Sequence, residues 1–164
     1  MEEEQVITFL IDGEAEVRPL ISIPTSATIE QLKEKIKEYT GVPISRQTLL
    51  YNNSRLFDFC TIKRYKFGSP MVGVVLDVAP ARKEINVNIT VTCPAFRINV
   101  KVNPNKDTVI QLKQKIGEVW GIETKDITLW RLSRKMQDHL PLCRYYINEG
   151  SDVQFTRTGE PLNF

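Results

Sequence analysis

The sequence predicts an α+β protein built from two tandem copies of one small domain, each a mixed sheet packed on a single helix. Three observations predict it. First, Thr28-Ile29-Glu30-Gln31-Leu32-Lys33-Glu34-Lys35-Ile36 returns as Thr108-Val109-Ile110-Gln111-Leu112-Lys113-Gln114-Lys115-Ile116, an offset of 80 residues (108 − 28). Second, the same offset matches Gly41 to Gly121, Val42 to Ile122, Leu49 to Leu129, Asp58 to Asp138 and Tyr65 to Tyr145. Third, each copy reads strand, strand, helix, strand, loop, strand, and one helix laid across a sheet buries the apolar face of both. Two copies are too few for a solenoid, in which several repeats must stack to close a core. Two autonomous domains are therefore expected, at 1–78 and 85–158, with a linker at 79–84 and a loose tail at 159–164.

In the first copy, Val6 to Ile11 is rich in β-branched and aromatic residues and reads as a strand, and Asp12-Gly13 signals a turn. Leu20 to Ile23 is a second strand, closed by Pro24. The helix is the best-signalled element. Thr28 is its N-cap, because the hydroxyl can accept from a free backbone N–H of the first turn, and Gln31 completes a capping box. Ile29, Leu32 and Ile36 recur at helical spacing on one face, and Gly41 stands where a terminal glycine belongs. Thr48 to Tyr51 reads as a strand, Asn52-Asn53 as a tight turn, and Met71 to Leu76 as the last strand after an irregular stretch. The second copy repeats this order with strands at Ile85 to Val91, Phe96 to Val102, Ile127 to Arg131 and Val153 to Phe155.

Composition narrows the function classes. The chain has 164 residues, 41% apolar and 26% charged, with a net charge of +2. These are the proportions of a globular chain, and the charge alone makes no case for nucleic acid. The acidic start Met1-Glu2-Glu3-Glu4 and the lack of a long apolar run predict no signal peptide and no membrane span, hence a cytoplasmic or nuclear protein. Cys60, Cys93 and Cys143 are widely spaced and odd in number, so reduced thiols are expected and no metal site. A lone histidine, His139, gives little support to nucleophilic catalysis with Cys143 or Cys60, and no glycine-rich phosphate loop is present. The chain reads as a non-enzyme without cofactors.

Both copies resemble the ubiquitin family, the β-grasp fold. The residues that carry the resemblance are Thr28 to Ile36, Gly41-Val42-Pro43, Gln47 to Tyr51, Leu56, Asp58, Thr61-Ile62 and Tyr65, with Thr108 to Ile116, Gly121-Ile122, Leu129, Asp138, Leu142, Tyr145 and Ile147 in the second copy. The first copy is the closer match. The second departs at Trp130-Arg131, where the family usually has two apolar residues. The resemblance implies a lysine on each helix paired with an acidic residue after the third strand, which places Lys33 with Asp58 and Lys113 with Asp138. It also implies binding through the exposed sheet face. The matching residues are Leu50, Val74 and Arg55, with Thr48 nearby, in the first copy, and Trp130 and Thr156 in the second. An exposed tryptophan offers a large contact area with one donor.

A Gly-Gly terminus, which transferable members of the family need, is missing after Leu76-Asp77-Val78 and in Gly159 to Phe164. The expectation is thus a non-conjugated adaptor, a monomer whose partners are ubiquitin-binding domains, proteasome subunits or other ubiquitin-pathway proteins. The alternative is a covalent modifier with a truncated or processed terminus. A basic group of Arg46, Lys63, Arg64 and Lys66 beside Tyr65 could contact phosphates, although a solvated turn is the simpler reading and nucleic acid is disfavoured.

Overall fold

The computed structural model describes residues 4–79 and 86–162. The chain divides into two compact units, Met1–Pro80 and Ala81–Phe164. In the first unit the elements are β1 (Val6–Asp12), β2 (Leu20–Pro24), α1 (Ile29–Thr40), β3 (Gln47–Tyr51), β4 (Ser54–Arg55) and β5 (Met71–Val78). The second unit repeats them as β6 (Val87–Thr92), β7 (Arg97–Val102), α2 (Val109–Trp120), β8 (Ile127–Arg131), β9 (Arg134–Lys135) and β10 (Asp152–Arg157). Each sheet has five strands, ordered β2-β1-β5-β3-β4 and β7-β6-β10-β8-β9. The pairs β1–β5 and β6–β10 are parallel, and all other neighbours are antiparallel.

The sequence reading of each irregular stretch needs correction. β4 and β9 are two-residue strands that pair back on β3 and β8 through Leu50↔Arg55 and Trp130↔Lys135. Such strands are too short to carry a period-two pattern. The intervening turns place both central residues at positive φ, Asn52 and Asn53 at 50° and 65°, Leu132 and Ser133 at the same values. Asparagine tolerates that conformation; leucine adopts it only at a steric cost. The first strand of the second unit begins at Val87, whereas residue 85 lies outside the described residues. Of the linker read at 79–84, only Ala79 is described. Its N–H donates to the Arg46 carbonyl at 2.9 Å, which extends the β3–β5 pairing by one residue. In the region read as a loose tail, the Glu160 N–H donates to the Arg157 carbonyl at 2.9 Å, and residues 163–164 are not described.

The two helices are built alike. The Thr28 N–H donates to Gln31 Oε1 at 2.8 Å and the Gln31 N–H to Thr28 Oγ1 at 3.2 Å; the Thr108 N–H donates to Gln111 Oε1 at 2.8 Å. Gly41 and Gly121 end the helices at φ 79° and 68°, a conformation glycine adopts without steric cost. Ile29, Leu32, Ile36 and Val109, Leu112, Ile116 are all fully buried and form the contact between helix and sheet. Gln47 and Ile127 hold equivalent buried positions at the start of β3 and β8. The Gln47 side chain donates to the carbonyls of Lys33 and Val42 at 3.1 and 2.9 Å, which ties α1 to β3.

Candidate interaction site on the outer sheet faces

Each sheet has an inner face against its helix and an outer face turned away, because successive side chains alternate. On β3 the inner positions are Gln47 and Leu49, both buried, and the outer ones are Thr48 and Leu50, both half-buried. Leu50 pairs with Val75 of β5 on one side and with Arg55 of β4 on the other. Met71, Val75 and Leu20 stand exposed on the same face, and Gly73 opposite Leu10 has open space where a side chain would project. A row across the outer face of the first unit, from Leu20 to Leu50, is therefore apolar, flanked by the hydrogen-bonded Thr8–Ser22 pair.

Val74 is not part of it. It is 1% exposed and packs inward with Val72 and Leu76. The outward residue is its neighbour Val75, at 45% exposure. The run Met71-Val72-Gly73-Val74-Val75-Leu76 is apolar on both faces, so the sequence carries no alternation that would set its phase, and a slip of one residue exchanges the faces.

In the second unit the equivalent outer position of β8 is Trp130, half-buried, opposite Gln154 of β10 and Lys135 of β9. Its indole N–H donates to Thr156 Oγ1 at 2.8 Å. Thr156 is consequently a buried support under the tryptophan, at 4% exposure, and not a contact residue itself. Around them the face is polar. Thr90 bonds Asn99 at 3.3 Å and Thr92 bonds Asp152 at 2.7 Å across the strands. Trp120 does not join Trp130. Trp120 packs with Phe155, whose side chain is buried on the inner face, at 5.1 Å between ring centroids. The pairing also shows that the offset between the units shortens to 79 in the last strand (154 − 75).

The inner position beside Trp130 is filled by Arg131, where the first unit has Tyr51. Arg131 is 6% exposed and donates to the carbonyls of Tyr145, Tyr146 and Asp152 at 3.3, 3.1 and 3.3 Å. Tyr51 instead packs edge-on against Phe67 at 4.9 Å, and Phe67 in turn meets Phe9 and Tyr65. An arginine in sequence reads as surface, so the buried role of Arg131 was visible only as a departure from two apolar residues.

The structure brings together both lysine–carboxylate pairs. Lys33 Nζ lies 2.5 Å from Asp58 Oδ1, and Lys113 Nζ lies 2.5 Å from Asp138 Oδ1. The lysines are buried while the aspartates are about half exposed. The stems lie along the core and the ammonium groups reach carboxylates at the rim. The Asp58 and Asp138 carbonyls also accept the N–H groups of Glu30 and Ile110, so the loop closes onto the first turn of each helix.

Lys63, Arg64 and Lys66 are exposed together on the turn of 62–66, but Arg46 does not join them. Arg46 Nε donates to the Ala79 carbonyl at 2.9 Å, beyond the C-terminal end of β5, and the turn of 62–66 precedes that strand. Partial burial lowers the Arg46 pKa from its ordinary value. Tyr65 braces the turn: its hydroxyl accepts the Phe57 N–H at 2.7 Å, and burial is the main cause that raises its pKa. His139 and Cys143 are both exposed. Among the described residues, no group of three or more His, Cys, Asp or Glu side chains could hold a metal ion, and no helix is long and apolar enough to cross a membrane.

Two helix-backed mixed sheets in series, each with one parallel central pair, define a tandem β-grasp protein. Comparison with known protein families matches residues 16–72 and 87–158 to the ubiquitin family. Those segments cover well over half of the chain, which belongs to that family. The match extends further along the second copy than along the first.

Proposed function

We propose that this chain is a non-conjugated ubiquitin-like interaction module, an adaptor that serves the ubiquitin–proteasome system and performs no catalysis of its own. The first copy binds through Leu50 and Val75 with Arg55 at the rim, and the second through Trp130. The observation that carries this reading is the exchange at one register position. Leu50 and Trp130 occupy equivalent outer sites of β3 and β8, one in an apolar row and one among polar side chains. Large side chains presented from rigid strands are the usual anchors of an interface, whereas their polar surroundings contribute complementarity. Two such different anchors suit two different partners, ubiquitin-binding domains or proteasomal receptors among them.

Non-conjugation of the first copy is supported inside the chain, where the sequence from the end of β5 reads Asp77-Val78-Ala79-Pro80 without a Gly-Gly pair. Placement of Arg46 away from Lys63, Arg64 and Lys66 splits that basic group among the described residues, which weighs against nucleic acid. Calorimetric titration with a panel of ubiquitin-receptor modules tests the proposal. Leu50→Ala and Trp130→Ala are expected to weaken different members of the panel, by about 1–2 kcal/mol each. Binding that neither substitution changes, with both variants folded, would falsify the assignment to the sheet faces.

A further inference from the structure

Outside both sheet faces, the first copy carries an exposed aromatic pair. Phe57 and Phe59 are 49% and 79% exposed, with ring centroids 5.9 Å apart and planes inclined by 30°. The Arg55 guanidinium lies 5.9 Å from the Phe57 centroid. These rings do not sit on a slack loop. The Phe57 N–H is held by the Tyr65 hydroxyl, the Cys60 N–H by the Phe57 carbonyl at 3.1 Å, and the Ile29 N–H by the Cys60 carbonyl at 2.9 Å. Asp58 between them is fixed by Lys33.

The second copy shows that this frame does not require aromatic residues. Gln137 and His139 stand at the equivalent positions, yet the Gln137 N–H meets the Tyr145 hydroxyl at 2.8 Å, the Leu140 N–H meets the Gln137 carbonyl at 3.2 Å, and Asp138 meets Lys113. The two phenylalanines are therefore surplus to the fold, and apolar rings held in water on a rigid frame are the anchor half of an interface. Two carboxylates lie near them, half-exposed Asp58 between the rings and exposed Glu30, whose N–H meets the Asp58 carbonyl, but the cations outnumber them. Arg55 flanks Phe57, and Lys63 and Arg64 are exposed on the turn that Tyr65 ties to Phe57, whereas the Asp58 carboxylate is already engaged.

We propose that Phe57 and Phe59, framed by Arg55, Lys63 and Arg64, form a second docking site on the first copy for an acidic peptide segment bearing a large apolar side chain. The apolar side chain covers the rings and its flanking carboxylates meet the cations. A peptide fits better than single-stranded nucleic acid, because the cations form a cluster and not a track.

The test uses the full chain, isotope-labelled, and three ligands: an Asp/Glu-rich peptide with one central tryptophan, the same peptide with lysine replacing each acid, and oligothymidylate. The acidic peptide is expected to shift amides of residues 57–66 and to leave Leu50 and Val75 unmoved. Phe57→Gln with Phe59→His, the residues the second copy uses on the same frame, should weaken it about tenfold while the remaining spectrum stays native. Lys63→Glu with Arg64→Glu should weaken it and remove most of its salt dependence. Four outcomes overturn the proposal: no shift with the acidic peptide, equal shifts with the lysine peptide, shifts that survive in the Phe57→Gln/Phe59→His variant, or shifts produced by oligothymidylate alone. None of these touches Leu50 or Trp130, so failure here is separable from failure of the sheet-face reading.

Discussion

The two units share one frame and differ where the frame permits choice. Capping box, terminal glycine, apolar helix stripe and lysine–aspartate clasp are the same in both. At the end of the third strand they part. The first unit puts Tyr51 inward into an aromatic cluster and Leu50 outward; the second puts Arg131 inward onto three carbonyls and Trp130 outward over Thr156. The lesson is that helix and clasp specify the fold, whereas one adjacent pair of residues decides how the core is closed and what surface is shown.

The largest effect should come from the inward member of that pair. Arg131→Ala removes a donor from each of the Tyr145, Tyr146 and Asp152 carbonyls, of which Tyr146 keeps the Asn148 amide at 3.0 Å, and opens a buried space. It should cost the second unit about 3 kcal/mol and leave the first unit unaffected. Both tryptophans belong to the second unit, so selectively excited tryptophan fluorescence during denaturant unfolding reports that unit. A comparison at the helix follows. A side chain at Gly117 would place Cβ 2.4 Å from the Ile122 carbonyl oxygen, and the first unit has Lys37 at the matching site. Gly117→Ala should thus destabilise by about 2 kcal/mol despite the better helix propensity of alanine, whereas Lys37→Gly should cost only about 1 kcal/mol, the propensity difference.

The clasp should not distinguish the units. Asp58→Ala and Asp138→Ala each leave a buried ammonium without its carboxylate, but the aspartates are half exposed. A loss of about 2 kcal/mol in either unit, between the surface and fully buried cases, is expected from thermal unfolding of the two variants. The smallest effect concerns the turns. Leu132→Asn relieves a leucine at φ 50° and should stabilise the second unit by about 1 kcal/mol, while Asn52→Leu should destabilise the first by a similar amount. Equal signs for the two changes, read from unfolding midpoints, would contradict the turn argument.

How much of this was legible in the sequence follows from the strength of each local signal. Thr28 with Gln31, the Ile29, Leu32 and Ile36 stripe, and Gly41 mark the helix because capping and periodicity are written within a dozen residues, and the repeat gives each signal twice. The face of Val74 is not legible because its strand is apolar on both faces and carries no phase. Thr156 reads as a surface residue because nothing in a sequence shows that an indole covers it. β4 and β9 were hidden by their length. The burial of Arg131 and the exposure of Phe57 and Phe59 run against composition, since arginine reads as surface and phenylalanine as core. Those are the positions where the units differ, and a single sequence could show only that the copies disagreed there.

The most direct test of the account exchanges the outward residues. Leu50→Trp in the first unit and Trp130→Leu in the second, combined in one chain, should move a bound receptor module from one outer sheet face to the other, as read from backbone amide shifts along β3 and β8. If the shifts follow the tryptophan, the residue at this register position sets partner choice. If they stay on the original unit, or no receptor module perturbs either face, the outer-face account is wrong.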